Sequence, residues 1–502
     1  MLTTLIVCLQ VVSLALASNS HVFSWGSNSY GQLGQTEDMI SPMRIKIAKS
    51  SPVWDIAAGE NHSLFLCDST EITPEVLYSG KQPNQGTHAS SKKTNQLVPV
   101  AAVNKMGLTT TRIEAGGESC VCLALNPPHP ESKLVLELAA TERPFYNQLI
   151  KTSNVLLRPL QKSAFYTSMD VYPFKSCLEN LISAFGSLTK KVGEGIADLT
   201  RCIQNQSPVT QSHLVQCHND FVQAFLHYSQ AFSDLLAVGG FDFCTKIGFE
   251  FFERVQSSIQ DLAQERDKSV GASKLFLRAM LYPFYRVGSY ATCFSRIAEV
   301  LTNPSDSTEV QGVSLAWAGL KSSLSQEHKT AEATRFFWDT VASKTIMDSL
   351  RVPARRLLKE SKTSPLHWPS GSRFSQRLFV LFSDVFVLVQ NNTMTVLSLE
   401  TVWIDPSTPE IENPNGITIL APEDRFDLVA SSSDQKVQWL LALNSAISRI
   451  VTNQKSLPSV HGNEDQVIPP LVRHACHKFV KPGIYKDAVY QGSWLSAKVD
   501  GL

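Results

Sequence analysis

Apolar residues follow three different spacings along this chain, and each spacing predicts a different architecture. Up to about residue 130 they come in short runs, FSW, SLFL and VCLAL, punctuated by Gly26, Gly31, Gly59 and Gly116. Short runs closed by glycine predict strands and tight turns. From Glu131 to about Leu350 the spacing changes to steps of three and four. Leu178, Leu181, Phe185, Leu188, Val192, Ile196 and Leu199 form one such series, and Phe221, Phe225, Tyr228, Phe232 and Leu235 another. Each series places one apolar stripe along a helix, and several such helices with modest connections predict an elongated all-α bundle. Beyond Val352-Pro353 the pattern becomes strand-like. RRLLKES offers a first strand, RLFVLFSDVFVLVQ two more around Ser383-Asp384, and DRFDLVASS another. SSDQKVQWLLALNSAIS then supplies one helix with Trp439 on its apolar side. The predicted fold class is multidomain α+β.

The first region repeats itself. VFSWGSN at Val22 is echoed by VLYSGKQ at Val76, an offset of 54, and IAAGENHS at Ile56 by IEAGGESC at Ile113, an offset of 57. Periods of this size indicate a propeller or a solenoid. The second copy is degraded, and two blades cannot close a propeller, because stacked repeats bury their faces only against neighbours. This side of the chain therefore reads as incomplete.

Composition narrows the function classes. The 502 residues suffice for roughly three domains. With 45 basic and 45 acidic side chains the charge is balanced, so no nucleic-acid partner is expected. No apolar run away from the N-terminus is long enough to span a bilayer. The N-terminus itself carries an apolar stretch from Leu5 to Leu16 followed by Ala15-Leu16-Ala17, which reads as a leader, either a secretory signal or the product of a truncated start. Against a signal, no Lys or Arg precedes Arg44. The ten cysteines include no C-x-x-C pair and read as reduced and structural. The sequon at Asn61 lies beside a strand expected to be buried, a poor place for a glycan.

Several segments resemble known families. VFSWGSNSYGQLG and IAAGENHS resemble the blade repeat of the regulator-of-chromosome-condensation propellers. LELAATERPFYNQLI (136–150) resembles the opening helix of Dbl-homology exchange domains, with Thr141-Glu142 followed by Phe145 and Tyr146. LFLRAMLYPFYRVGSYATCFSRIAEVL (275–301) resembles the long helix of that family, whose L-x-x-P-x-x-R-V-x-x-Y core is met by Leu281, Pro283, Arg286, Val287 and Tyr290, one step out of phase at the leucine. Tyr282 and Ser289 stand where the family favours basic residues, and Pro144 sits inside the first helix, where it must kink it or mark its edge. The strands and helix after Pro353 resemble a pleckstrin-homology domain. Tyr490, Gly492, Trp494, Lys498 and Gly501 resemble the opening of a MORN repeat, with Ala497 and Asp500 departing from it. Modules in this order resemble a family of guanine nucleotide exchange factors. The resulting division is a leader at 1–20, partial propeller repeats at 21–130, a Dbl-homology domain at 131–350, a pleckstrin-homology domain at 351–452, a linker at 453–486 and an incomplete MORN repeat at 487–502, the whole reading as a fragment.

Candidate chemistry follows from what is present. The chain has no phosphate-binding loop, nucleophile elbow or paired zinc motif. His474, Cys476 and His477 cluster without a second pair, so neither metal nor cofactor is expected. An exchange factor needs no covalent chemistry, only tighter binding to the open state of its GTPase. The resemblance implies Rho/Rac-type GTPases as partners, with Glu142, Arg286 and Tyr290 as contacts. It also implies Rab-type exchange through a C-terminal region beyond this sequence, and cytoplasmic work at endosomal membranes. Each of the three residues has a structural alternative: a helix-end charge, an intradomain salt bridge and a packed aromatic. In the barrel, Arg355, Arg356, Lys359, Lys362, Arg373 and Arg377 are opposed by Asp405, Glu410, Glu412, Glu423, Asp424 and Asp427. That polarity suits a phosphoinositide surface, with Lys359, Lys362, Arg373 and Arg377 as lipid-binding candidates; a solvated loop is the alternative. His367-Trp368 would either touch the interface or fold back. A non-catalytic scaffold binding proteins and lipid is the rival function, a secreted repeat protein a third, and self-association is left open.

Overall fold

The structure is a computed structural model that describes residues 3–455, apart from 10–11, 48–50, 70–72, 82–96, 105–107, 126–129, 169–172, 342–348, 369–376, 391–392, 406–413 and 423. The linker, the MORN-like tail and the His474, Cys476, His477 cluster lie outside the described residues. The chain separates into two units, residues 1–235 with 240–327, and residues 236–239 with 328–502.

The first unit opens with blade-like sheets. Strands β1 (Thr3–Leu9), β2 (Val12–Ala17), β3 (Val22–Gly26) and β4 (Met39–Arg44) pair in sequence order, all antiparallel. A second sheet follows with β5 (Val53–Ala58), β6 (His62–Cys67), β7 (Glu75–Gly80) and β8 (Val98–Pro99), then a two-stranded one with β9 (Thr109–Gly116) and β10 (Ser119–Leu125). The apolar stretch expected to be a leader therefore occupies strands here. Val12, Leu14 and Leu16 alternate inward along β2 and join Val22, Leu33, Ile56 and Phe65 in one core. Period-two alternation is what a half-buried strand requires.

The sequence repeat is offset from the sheets. Its first copy, Val22–Ser69, runs through β3 and β4 of one sheet and β5 and β6 of the next. The motif residues hold this junction. The Asn28 amide donates to the carbonyls of Gln35 (2.7 Å) and Glu37 (3.1 Å), and its oxygen accepts from the Leu33 backbone (2.9 Å). That loop turns through Gly31 (φ +84°) and Gly34 (φ +65°), a left-handed region open chiefly to glycine, and it delivers Leu33 fully into the core. Ser63 in the next sheet donates to the Gln32 carbonyl at 2.7 Å. In A-A-G-x-x-H the glycine makes room for the histidine: a Cβ on Gly59 would lie 2.2 Å from the His62 ring, which stacks on Tyr78 at 5.6 Å. In the degraded copy Ser119 replaces the histidine, and a Cβ on Gly116 would meet nothing within 4 Å. Asp55 spans two sheets, accepting from the backbones of Ile56 and Ile113, each at 3.1 Å, and burial pushes its carboxyl up to about 6.

The helical part of this unit contains α1 (Pro130–Thr152), α2 (Phe174–Asn205), α3 (His218–Val238), α4 (Phe249–Leu262), α5 (Ala272–Val300) and the first part of α6 (Pro304–Val341). Both predicted apolar series are core: Leu178, Leu181, Phe185, Leu188, Val192 and Leu199 on α2 are buried, as are Phe221, Phe225, Tyr228, Phe232 and Leu235 on α3, while Ile196 faces a cavity. Aromatic rings dominate the centre, with Phe225 against Trp317 at 5.4 Å and Tyr290 against Trp317 at 4.5 Å. Pro144 neither starts nor ends its helix. The helix continues past it to Thr152 and then widens into a π-helical turn at Ser153–Leu157. Proline costs one backbone bond in a helix interior, and α1 tolerates this because it is packed on several sides.

In the second unit β11 (Leu357–Glu360), β13 (Arg377–Phe382), β14 (Val385–Gln390) and β15 (Thr393–Ser398) form one sheet. A second, in the order β12 (Leu366–His367), β18 (Arg425–Ala430), β17 (Gly416–Leu420) and β16 (Trp403–Asp405), completes the strands. Helix α7 (Ser433–Lys455) buries Trp439 completely in the core between them, and the indole donates to the Ser364 carbonyl at 3.1 Å. Trp368 folds back, its ring 5.9 Å from Phe379 and 6.0 Å from Phe426.

The contrast between the two glycines predicts their mutational behaviour. Gly59→Ala is expected to cost about 1–3 kcal/mol by overpacking, read as an earlier midpoint in urea. Gly116→Ala should stay within about 0.5 kcal/mol of the parent. Combining Gly59→Ala with His62→Ala should recover part of the loss; equal penalties at the two glycines would contradict the account.

Candidate functional site

Helices α1 and α5 meet through one buried polar cluster. Residues three and four apart share a helix face, so Arg286 and Tyr290 on α5 point together at α1, where Thr141, Glu142 and Phe145 receive them. Arg286 donates through Nε to Glu142 Oε1 at 2.6 Å and through Nη2 to the same oxygen at 2.5 Å and to Thr141 Oγ1 at 2.8 Å. Tyr290 donates its hydroxyl to Glu142 Oε2 at 2.8 Å. The guanidinium also lies 5.0 Å from the Tyr290 ring and 5.8 Å from that of Phe145, within cation–π range.

Electrostatics follow from burial. Desolvation opposes the charge on Arg286, yet the Glu142 carboxylate beside it more than offsets this and holds its pKa above the ordinary value. Burial, reinforced by the same carboxylate, pushes the Tyr290 phenol well up. Glu142 is 1% exposed and both its oxygens are occupied.

The structure therefore brings all three predicted contact residues together, but as an internal lock between two helices. The Glu142 carboxylate is shared by Arg286 and Tyr290, Arg286 forms an intradomain salt bridge and Tyr290 is a packed aromatic. Tyr282, where the family favours a cation, packs its ring 5.6 Å from Phe145. Sequence reasoning overlooked Tyr285, which is 69% exposed one residue from Arg286; its place three residues after Tyr282 was the available signal.

The basic residues of the barrel separate by role. Arg355 is buried and forks both oxygens of Asp384 at 2.7 Å, while donating to the Leu350 carbonyl. Arg356 is likewise buried and donates to the Pro353 carbonyl. Both are corrected from surface cations to internal braces. Lys359 is half-buried, donates to Gln438 Oε1 at 3.1 Å and lies 5.4 Å over the Trp439 ring, and burial lowers its pKa. Lys362 is exposed. Arg373 and the side chain of Arg377, which opens β13, lie outside what the structure describes. Among the described residues no group of three or more His, Cys, Asp or Glu side chains is placed to hold a metal ion, and no helix is long and apolar enough to cross a membrane. Nine cysteines are free thiols; Cys476 lies outside the described residues.

The lock predicts a steep response to removing one partner. Arg286→Met leaves a buried carboxylate uncompensated and is expected to destabilise by about 3–5 kcal/mol, whereas Tyr290→Phe should lose about 1–3 kcal/mol. Denaturant unfolding of purified variants measures both; an Arg286→Met penalty below that of Tyr290→Phe would contradict the geometry.

Comparison with known proteins places this arrangement. The profile for the alsin DH domain matches residues 155–338, that for the alsin PH-like domain residues 341–453, and that for the RCC1 (regulator of chromosome condensation) repeat residues 19–66. Mouse alsin is 32% identical over 496 residues, covering 97% of this chain and 30% of its own length. A fruit-fly alsin homolog is 22% identical over 87% of this chain and 28% of its own, and a cattle ALS2 C-terminal-like protein 23% identical over 74% and 38%. Among solved structures, the PDZ-RhoGEF DH/PH domains in complex with GTP-γ-S-activated RhoA align with 64% of this chain and 94% of theirs, at 15% identity and a TM-score of 0.40. This chain thus spans about a third of the length of the alsins it matches. Over its RCC1-repeat, DH and PH-like segments, the chain belongs to the alsin family.

Proposed function

We propose that this chain is a guanine nucleotide exchange factor for small GTPases of the Rho/Rac type, acting through its DH/PH tandem. The observation that carries the reading is the lock itself. It joins the two helices that the DH resemblance assigns to GTPase contact, and it fixes their register. Glu142, Arg286 and Tyr290 act from within: they hold the α1–α5 face on which Thr141, Tyr285 and Ser289 are presented. Exchange then follows from that face binding the nucleotide-poor switch conformation more tightly than the nucleotide-bound one. Rab-type activation and work on endosomes belong, in this reading, to the longer proteins of the family.

Nucleotide release tests it. The 502-residue protein is expected to accelerate GDP release from a Rac-type GTPase and not from a Rab-type one. Tyr285→Ala on the exposed face should lower that rate at least tenfold without loss of fold. Glu142→Ala should abolish it. No acceleration by a folded protein overturns the reading.

A second reading is favoured by Tyr282, whose packing against Phe145 leaves that position without a cation. It makes the tandem a scaffold that binds GTPases or other proteins without releasing nucleotide. Binding that leaves the release rate unchanged is its outcome.

The PH-like domain is assigned a phosphoinositide surface around Lys362, Arg373 and Arg377. Lys359 contributes less because its ammonium is engaged at Trp439. Flotation with phosphoinositide liposomes is expected to fall at least tenfold in a Lys362→Glu/Arg373→Glu variant and to change little in Lys359→Gln; unchanged binding in the double variant removes the membrane role.

A further inference from the structure

Helix α5 is flanked on both sides of its exposed face. Successive residues turn about 100° round a helix. Arg286 and Tyr290 therefore face α1, Tyr285 faces solvent, and Gly288 lies about 60° from Tyr285 on the side away from Arg286. On that side α6 runs antiparallel to α5: Ser307 donates to the Ala298 carbonyl and Ser314 to that of Ala291, each at 2.8 Å. Trp317, further along α6, sets its ring 4.5 Å from Tyr290 and so ties α6 to the lock. Lys321 follows one turn later, exposed at its own position. Helical side chains lean toward the N-terminus of their helix, which carries this one back over Gly288. A Cβ at 288 would lie 3.2 Å from the Lys321 Nζ, 3.3 Å from Cε and 3.5 Å from Cδ. Glycine thus leaves a notch in α5, and the end of the lysine rests in it.

The charge in the notch is unanswered. α5 contains no Asp or Glu before Glu299, and α6 none between Glu309 and Glu327. Among the described residues no carboxylate pairs with Lys321. The three arginines of α5 are all engaged, Arg278 with Glu265, Arg286 with Glu142 and Arg296 with Glu137. A cation held beside an exposed tyrosine on an acid-free surface is complementary to an acidic group brought by another protein. We propose, building on the exchange reading above, that Lys321 meets an acidic side chain of the GTPase and that Gly288 positions its ammonium for that contact. The docking face is then three helices wide, with Thr141 from α1, Tyr285 from α5 and Lys321 from α6.

GDP release from a Rac-type GTPase, with binding of its nucleotide-free form followed alongside, tests this on the full chain. Lys321→Glu sets like charges against each other and should lower kcat/KM for release at least tenfold, at an unchanged melting temperature. Lys321→Arg should stay within about twofold of the parent, since the charge is kept. Added salt should slow the parent more steeply than it slows Lys321→Gln. Gly288→Ala displaces the ammonium and should lower release about threefold through lost preorganisation, again without a lower melting temperature. If the parent binds without releasing nucleotide, the same ratios are read in affinity. An active parent matched by Lys321→Glu overturns this inference and leaves the exchange reading standing, whereas a folded parent that neither binds nor releases overturns both. Equal losses in Lys321→Glu and Lys321→Arg with a lowered melting temperature would make the role structural and also overturn it. An unchanged rate in Gly288→Ala removes the positioning role of the glycine.

Discussion

Two neighbouring charges on one helix constrain most of the first unit. Glu142 is drawn to α5 by Arg286 and Tyr290, and Arg143, the next residue, is drawn the other way to Asp68 on the edge of the blade sheets. Successive residues on a helix point about 100° apart, so two buried pairs at consecutive positions leave α1 no low-cost rotation about its axis. Turning it to free one pair would strand the other, and an uncompensated buried charge costs several kcal/mol. The helix is therefore held by its neighbours on both sides, which is why Pro144, immediately following, does not interrupt it.

This arrangement ties the RCC1-type sheets to the helical domain through specific chemistry, and not only through apolar contact. Apolar packing tolerates sliding; a guanidinium seated on a carboxylate fixes register. The same logic recurs at smaller scale in the second unit, where Arg355 forks Asp384 in the β13–β14 turn and Lys359 rests on Trp439 of the closing helix. In each place a cation whose sequence position suggested a surface role is used to fasten one element to another.

Much of the architecture was legible in the residues. The three-and-four spacing on α2 and α3 and the paired strands about Ser383-Asp384 need only local pattern to be read, because each element buries one face. The repeat motif was legible for the same reason: Gly31, Gly34 and Gly59 are demanded by backbone angle or by a ring pressed against the chain. What could not be read is what depends on distant partners. Nothing near Arg355 in sequence announces Asp384, and nothing near Glu142 announces that Arg286 and Tyr290, some 145 residues later, will consume both its oxygens. The N-terminal stretch satisfies two patterns at once: VVSLALA reads as an apolar leader and as the inward-outward alternation that β2 displays. Tyr285 was passed over because the family pattern marks its neighbours and leaves that position blank.

The stagger between the sequence repeat and the sheets has a consequence for how such chains change in length. Since each copy supplies the last two strands of one sheet and the first two of the next, duplicating or excising a whole copy restores every hydrogen-bonded ladder at the seam. A cut made at the limits of a visible sheet would instead divide two motif copies, separating Asn28 and Leu33 from Ser63 and opening both neighbours. Selection on gene duplications would thus favour the staggered unit, and any grafting of these blades into another protein would have to respect that same phase.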